Sequence, residues 1–311
     1  MSYPVGLGWW VAFENAMHPG PKEKDLEIAI ERAKKTGARW VALRAGDGGN
    51  PDGALDAASR NAWKSAGFDV YVWQYARPQT IAAEIALYKG WVKMVDGVII
   101  NAEFHHAGAS ADTARMLVDG LRAVGFDFVA HAPPDYAGSA NTEPWNTFDT
   151  LCDAIMPQVY AWEHNDAGHV AHLDAVKKRY LAKGTPIEKV WPILCSYRPK
   201  TRGFDKNNKP IPTPKMFDEP MKVAGDLLDG LEHEWTSSSQ APSIYSLDAI
   251  TFINGEQDKV IETLTHWYCH TCATEPPATI EDPIGEVTLG LKTEVERVMS
   301  ERDPKEWDGV P

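Results

Sequence analysis

The 311-residue sequence contains no run of about 18 apolar residues, so no membrane insertion is expected. It also lacks a surplus of positive charge. Lys and Arg number 31 against 44 Asp and Glu, a formal net charge of −13. Nucleic-acid and anionic membrane surfaces call for clustered cations, so neither is an expected partner. Cysteine is scarce, with four residues in the chain, too few for a disulfide scaffold. The opening MSYPVGLGWWVAFE has no basic stretch followed by an apolar one, so no secretory signal is expected; it reads as a strand that starts almost at once. Hydrophobic residues make up 43% and charged residues 24%, which excludes a disordered chain. Trp, by contrast, is plentiful at 12 residues, and its flat apolar face suits both a core and the face of a sugar ring.

The chain repeats a pattern, not a sequence. Short apolar, β-rich runs occur at Val5–Glu14, Trp40–Asp47, Asp69–Pro78, Gly97–His105, Phe126–Pro133, Ala154–Glu163, Val190–Pro199 and Leu247–Gln257. Most start about 30 residues apart, the length of one βα unit. Between them lie stretches of helical periodicity: Asp25–Lys35, Ala54–Ala66, Thr80–Met94, Ser110–Val124, Val170–Lys183 and Met216–Trp235. Gly37, Gly67, Gly125 and Gly184 follow four of these as stop signals. Eight such units predict an α/β fold, a single (β/α)8 barrel over residues 1–272. Residues 273–311 read as an acidic, Pro-rich linker and a short amphipathic helix carrying Leu291, Val295 and Val298, a possible docking element for a protein partner. The Lys-, Asn- and Pro-rich stretch Pro199–Pro214 reads as a long loop forming one wall of a groove at the barrel mouth, with Lys200, Arg202 and Lys206 able to guide an acidic glycan.

In such a barrel, chemistry sits at the C-terminal ends of the strands. Those ends carry Glu14, Arg44, Asp47, Trp73, Gln74, Tyr75, Asn101, Glu103, His105, His131, Gln158, Tyr160, Glu163, Tyr197, Arg198, Asn254 and Glu256. Carboxylates serve acid/base work, amides bind hydroxyls and aromatic faces bind sugar faces, so the expected ligand is an oligosaccharide or polysaccharide. The candidate substrate-binding set is Asp47, Trp73, Gln74, Tyr75, His131, Gln158, Glu163, Tyr197, Asn254 and Glu256. The fourth run reads Asp96-Gly97-Val98-Ile99-Ile100-Asn101-Ala102-Glu103, and period-2 alternation turns Ile99, Asn101 and Glu103 into the barrel. Glu103 then stands at the mouth with the Asn101 amide one step below.

This octapeptide resembles strand four of two barrel families. Family 18 chitinases carry Asp-Gly-x-Asp-x-Asp-x-Glu there, and family 85 endo-β-N-acetylglucosaminidases carry an Asp-Gly stretch ending Asn-x-Glu. Asp96, Gly97 and Glu103 match both; Asn101 matches the second, and Ile99 stands where the first has its middle Asp. Met156-Pro157-Gln158-Val159-Tyr160 is similar to the Met-x-Tyr strand of family 18-like barrels. The resemblance implies a retaining glycosidase that uses the substrate's own 2-acetamido oxygen as nucleophile. Glu103 would be the general acid/base, Asn101 would orient the acetamide and Tyr160 would contact it.

Other readings stay open. A muramidase-like barrel of the family 25 type requires a second carboxylate, from Glu14, Asp47, Glu163 or Glu256. A barrel that has lost catalysis would serve as a glycan-binding or structural module, for instance in a phage tail; an endolysin or an intracellular glycosidase would equally lack a signal. No cofactor is expected. A metal site is disfavoured because His105 and His106 have the parities of opposite faces and no His-Glu-x-x-His occurs. Cys269-His270-Thr271-Cys272 is a lone CxxC, read as a local disulfide or two thiols, and Cys152 and Cys195 read as core.

Overall fold

The computed structural model describes residues 3–12, 22–51, 55–103, 106, 109–134, 144–160, 168–196, 201–204, 210–212, 220–245, 261–265 and 268. The chain divides into two compact units, Met1–Tyr268 and Cys269–Pro311. The described residues all belong to the first; residues 273–311, expected to form a linker and a short helix, lie outside them.

The first unit is a (β/α)8 barrel. Its strands are β1 (Gly8–Val11), β2 (Trp40–Asp47), β3 (Asp69–Tyr75), β4 (Gly97–Asn101), β5 (Val129–His131), β6 (Ala154–Ile155 and Gln158–Val159, parted by Met156-Pro157), β7 (Ile193–Cys195) and β8 (Ser243–Tyr245). All neighbours pair in parallel, from β1 through β5 in sequence order. Strand β8 lies between β1 and β7. Closure falls on β6: its first half pairs with β5 and its second half with β7. Helices α1 (Lys22–Lys35), α2 (Ala57–Ser65), α3 (Ile81–Lys89), α4 (Ala111–Val124), α5 (Trp145–Leu151), α6 (Gly168–Ala182), α7 (Pro220–Glu232) and the short α8 (Glu234–Ser238) fill the connections.

Two expectations are corrected. The eighth strand is Ser243–Tyr245, not a run beginning at Leu247; residues 247–257 lie outside the described set. The Met216–Trp235 stretch ends as two helices, α7 and α8, and α5 had no sequence counterpart.

Local chemistry explains the elements. Asp56 and Ser59 form a capping box on α2. Ser110 caps α4, whose buried stripe is Ala114, Leu117, Val118 and Leu121, and Gly125 ends that helix at φ 112°, a left-handed geometry that favours glycine. The same positive φ recurs at the other three stop glycines.

Strand alternation builds two cores. One lies between strands and helices. The other fills the barrel and includes Trp10, Trp40, Tyr71, Trp73, Phe128 and Trp191. Large rings there face glycines: a Cβ at Gly8 would collide with the Trp40 ring, and one at Gly97 would lie 2.6 Å from Phe128. Phe128 stacks on Trp191 at 6.1 Å and meets Tyr71 edge-on at 5.5 Å. The tryptophans of the barrel interior are thus packing residues.

Candidate active site

The inward-facing residues of the upper barrel are Arg44, Tyr75, Asn101, Gln158, Cys195 and Tyr245, with Glu103 and Tyr160 just beyond β4 and β6. Interior parity follows from Trp40 and Ala42 on β2, Tyr71 and Trp73 on β3, Ile99 on β4, Met156 on β6 and Ile193 on β7, all in the inner core.

Asn101, Glu103 and Gln158 form one hydrogen-bonded group. Asn101 Nδ2 donates to Glu103 Oε1 at 3.0 Å, and Gln158 Nε2 donates to Asn101 Oδ1 at 2.8 Å and to Glu103 Oε1 at 3.3 Å. An ionised carboxylate only accepts, so both amides must turn their nitrogens toward it, which settles their orientation. Asn101 and Gln158 are buried, at 5% and 8% exposure, while Glu103 is half-buried. Two donors converge on Oε1, and among the described residues none meets Oε2. The segment is braced from behind: Trp145 Nε1 donates to the Ala102 carbonyl at 2.9 Å, and Ala76 N–H donates to the Asn101 carbonyl at 2.9 Å.

Aromatic rings flank this group. Tyr160 and Tyr245 stack at 5.6 Å between centroids. The Arg44 guanidinium lies 5.0 Å from the Tyr75 ring centre and 5.7 Å from that of Trp73, within cation–π range. Among the described residues no ion pair closes on Glu103.

A second cluster stands behind the ends of β2 and β3. Arg77 clamps Asp47 through Nε–Oδ1 at 2.6 Å and a second terminal nitrogen to Oδ2 at 2.7 Å. The hydrogen bond to Asp47 raises the Arg77 pKa, with smaller contributions from the Glu103 and Glu84 charges. The Arg77 N–H and the Thr80 hydroxyl both donate to Glu84 Oε1, at 2.6 and 3.0 Å. Glu84 is fully buried, and burial pushes its pKa up to about 7. The sequence reading missed Arg77 and Glu84. The signal was there, in a cation two residues past β3 and an acid in the first turn of α3.

Three expected substrate contacts are corrected. Gln74 has the opposite parity to Trp73 and Tyr75, and its side chain is wholly buried toward the helices. His131, between the inward-facing Ala130 and Ala132, is also wholly buried; its ring meets Phe148 at 4.7 Å, and Nδ1 is 3.2 Å from Asp149 Oδ1. Burial lowers the His131 pKa against the opposing pull of Asp149. Trp73 does face inward but has no exposed surface, so it supports Tyr75 and Arg44 from below. Asp47, Tyr75 and Gln158 stand at the mouth. Glu14, His105, Glu163, Tyr197, Arg198, Asn254 and Glu256 lie outside the described residues, as do the side chains of residues 199–214. The loop expected there instead pairs Thr201–Phe204 with Pro210–Pro212 as antiparallel strands. Among the described residues no group of three or more potential metal ligands occurs, and no helix is long and apolar enough to cross a membrane.

Neither family models nor curated proteins give a match to this sequence. Solved structures do. The spore cortex-lytic enzyme SleL of Bacillus megaterium QM B1551 is similar at a TM-score of 0.54 and 8% identity, over 84% of this chain and 74% of that one. The PgaB (BpsB) glycoside hydrolase domain of Bordetella bronchiseptica gives 0.52 and 13%, over 84% and 99%. A xylanase and α-amylase inhibitor protein of Scadoxus multiflorus gives 0.50 and 11%, over 85% and 98%. At such identities the likeness is one of fold, a (β/α)8 barrel that enzymes and an inhibitor protein share.

Proposed function

We propose that the chain is a retaining glycoside hydrolase acting on an N-acetylhexosamine-containing glycan, with Glu103 as its general acid/base. The observation that carries the reading is the convergence of two amide donors on one oxygen of Glu103. With Oε1 held by Asn101 and Gln158, the proton of the acid form resides on Oε2. In the first step Oε2–H protonates the glycosidic oxygen as the bond to the anomeric carbon breaks. The substrate's acetamido oxygen attacks that carbon and forms a cyclic intermediate. In the second step the Glu103 carboxylate takes a proton from water, whose oxygen opens the ring and restores the anomeric configuration. Asn101 Oδ1 keeps a second lone pair, beyond the one facing Gln158, to accept the acetamide N–H. The Tyr160 hydroxyl donates to the acetamide oxygen.

The test is hydrolysis of N-acetylglucosamine oligomers and cell-wall glycan by wild type and Glu103→Gln. Removing the acid should cost about 10²–10⁴-fold in rate while leaving ligand affinity near that of wild type. Asn101→Ala should be comparably severe, because the internal nucleophile loses its alignment. The muramidase-like reading needs a second carboxylate. Of its candidates Asp47 is committed to Arg77, while Glu14, Glu163 and Glu256 lie outside the described residues. Loss of one of these as damaging as loss of Glu103 would favour that reading. Binding by wild type without turnover would select the glycan-binding module, a use of the fold compatible with its likeness to an inhibitor protein.

A further inference from the structure

We infer that Cys195 is a base-activated thiol and a site of oxidation by hydroperoxides, set behind the aromatic wall of the barrel mouth. The inference rests on a Cys–His–Asp arrangement that the proposed glycosidase chemistry does not use. Cys195 ends β7, and its Sγ lies 3.7 Å from Nε2 of His169, in the first turn of α6. The Cys195 N–H donates to the same Nε2 at 3.3 Å. A backbone N–H can only donate, so Nε2 carries the lone pair and Nδ1 carries the proton. Nδ1–H in turn donates to Asp226 Oδ2 on α7, while the other Asp226 oxygen accepts the His169 N–H at 3.0 Å. The one Nε2 lone pair thus faces both the Cys195 N–H and the thiol, with a carboxylate behind the ring to stabilise the imidazolium.

The packing around His169 is specific. A Cβ at Gly168 would collide with Asp226 Oδ1, and one at Gly230 would lie 2.8 Å from the His169 Cβ. Both neighbours of His169 are thus cleared of side chain. The second buried thiol is a contrast. Burial pushes the Cys152 thiol far up, and among the described residues no histidine hydrogen-bonds to it.

Cys195 also has a defined position relative to the mouth. It pairs with Tyr245 on β8, and Val159↔Leu194 places Tyr160 one step further along β6 on its other side. Strands two apart are roughly 10 Å from one another. The Tyr160 and Tyr245 rings nevertheless stack at 5.6 Å, so they lean together across the strand that carries the thiol. This accounts for its 1% exposure. A peroxide is little larger than water and needs only a brief parting of the rings.

In the step itself the Cys195 N–H gives up the His169 Nε2 lone pair, the thiol proton passes to it and sulfur attacks one peroxide oxygen. The O–O bond breaks, and the departing hydroxide takes the proton from Nε2 and leaves as water. Sulfur becomes a sulfenic acid, and its two electrons reduce the peroxide. The product, one oxygen larger, presses on Tyr160 and Tyr245.

The full-length protein is treated with hydrogen peroxide and the sulfenic-acid trap dimedone, and labelled cysteines are read by peptide mass spectrometry. Cys195 should label about tenfold faster than Cys152 or more. His169→Gln should slow Cys195 by about tenfold, and Asp226→Asn should slow it in the same direction. Tyr245→Ala, which opens the wall, should speed it and admit a bulky aromatic disulfide reagent that wild type resists. If Cys195 labels no faster than Cys152 in wild type, or keeps its rate in Asp226→Asn, then His169 only caps β7 and the inference falls. Should His169→Gln fail to fold, the wild-type comparison and Asp226→Asn still decide. None of these readouts depends on glycan turnover, so the outcome is separate from that of Glu103→Gln.

Discussion

Two amide side chains decide how Glu103 presents its carboxyl, and one buried acid decides how firmly the neighbouring loop is held. Gln158 satisfies Asn101 Oδ1 and shares Glu103 Oε1. Gln158→Leu removes both bonds and leaves the Asn101 carbonyl without that donor in a buried setting. A stability loss of about 1–3 kcal/mol is expected from urea unfolding, alongside slower turnover. Glu84 behaves differently, because its carboxyl is buried under α3 and ionises near 7, against an ordinary value of 4.5. Folding therefore favours its protonated form. The contribution is present in full below the unfolded value and is lost as pH rises through about 7, a loss on the order of 3 kcal/mol for a shift of that size. Unfolding free energies of wild type and Glu84→Gln should diverge in favour of Gln between about pH 5 and pH 8. A constant difference across that range would show that the carboxyl does not titrate there. Glu84 Oε1 accepts the Arg77 N–H, which joins this carboxyl to the loop that holds Asp47.

At the scale of elements, one device recurs at the end of the barrel away from the mouth. Asp96, just before β4, accepts the Val70 N–H of β3 at 2.6 Å and pairs with Lys64 of α2. Asp153, just before β6, accepts the Val129 N–H of β5 at 2.8 Å and pairs with Arg122 of α4 at 2.5 Å. Each ties a strand, its predecessor and the helix that leads into that predecessor together. Asp96→Ala or Asp153→Ala should cost about 1–3 kcal/mol in chemical denaturation without touching the pH–rate profile, because the change lies far from the mouth. The two ends of the strand-four octapeptide thus have different duties. Asp96 is a tie and Gly97 makes room for Phe128, whereas Asn101 and Glu103 meet at the opposite end. The barrel was legible because period 2, period 3.6 and stop glycines all alternate on schedule. Asn101, Glu103 and Gln158 were legible because parity along a strand is a local property. Gln74 and His131 went wrong through reading strand ends without counting parity from Trp73 and Ala130. Ser243–Tyr245 was missed because three residues carry too little pattern. The Cys195–His169–Asp226 group joins three elements, and no local signal connects them.

At the scale of the whole barrel, the described residues form one core inside it and one outside it, so the mouth rests on a floor of packed rings. Phe128→Ala removes the ring between Tyr71 and Trp191 and should cost about 3–5 kcal/mol, since so closely packed a site collapses only in part. The molecule also carries a net charge of −13, which sets the long-range field seen by an approaching glycan. Screening extends that field about 10 Å at 0.1 M salt and about three times further at 0.01 M. Local cations at the mouth act over shorter distances: Arg44 is seated on aromatic rings, and Arg77 is offset by Asp47. A neutral N-acetylglucosamine oligomer feels little of either, so its kcat/KM should be flat in salt. A carboxylate-bearing glycan is repelled at long range, and its kcat/KM should rise as salt is added from low ionic strength. The comparison needs both substrates under identical conditions, with Glu103→Gln titrated by each to separate encounter from chemistry. A fall with salt for the acidic glycan would mean that local cations outweigh the net charge. The glycan class would then be an acidic one, selected by that local field against the charge of the body.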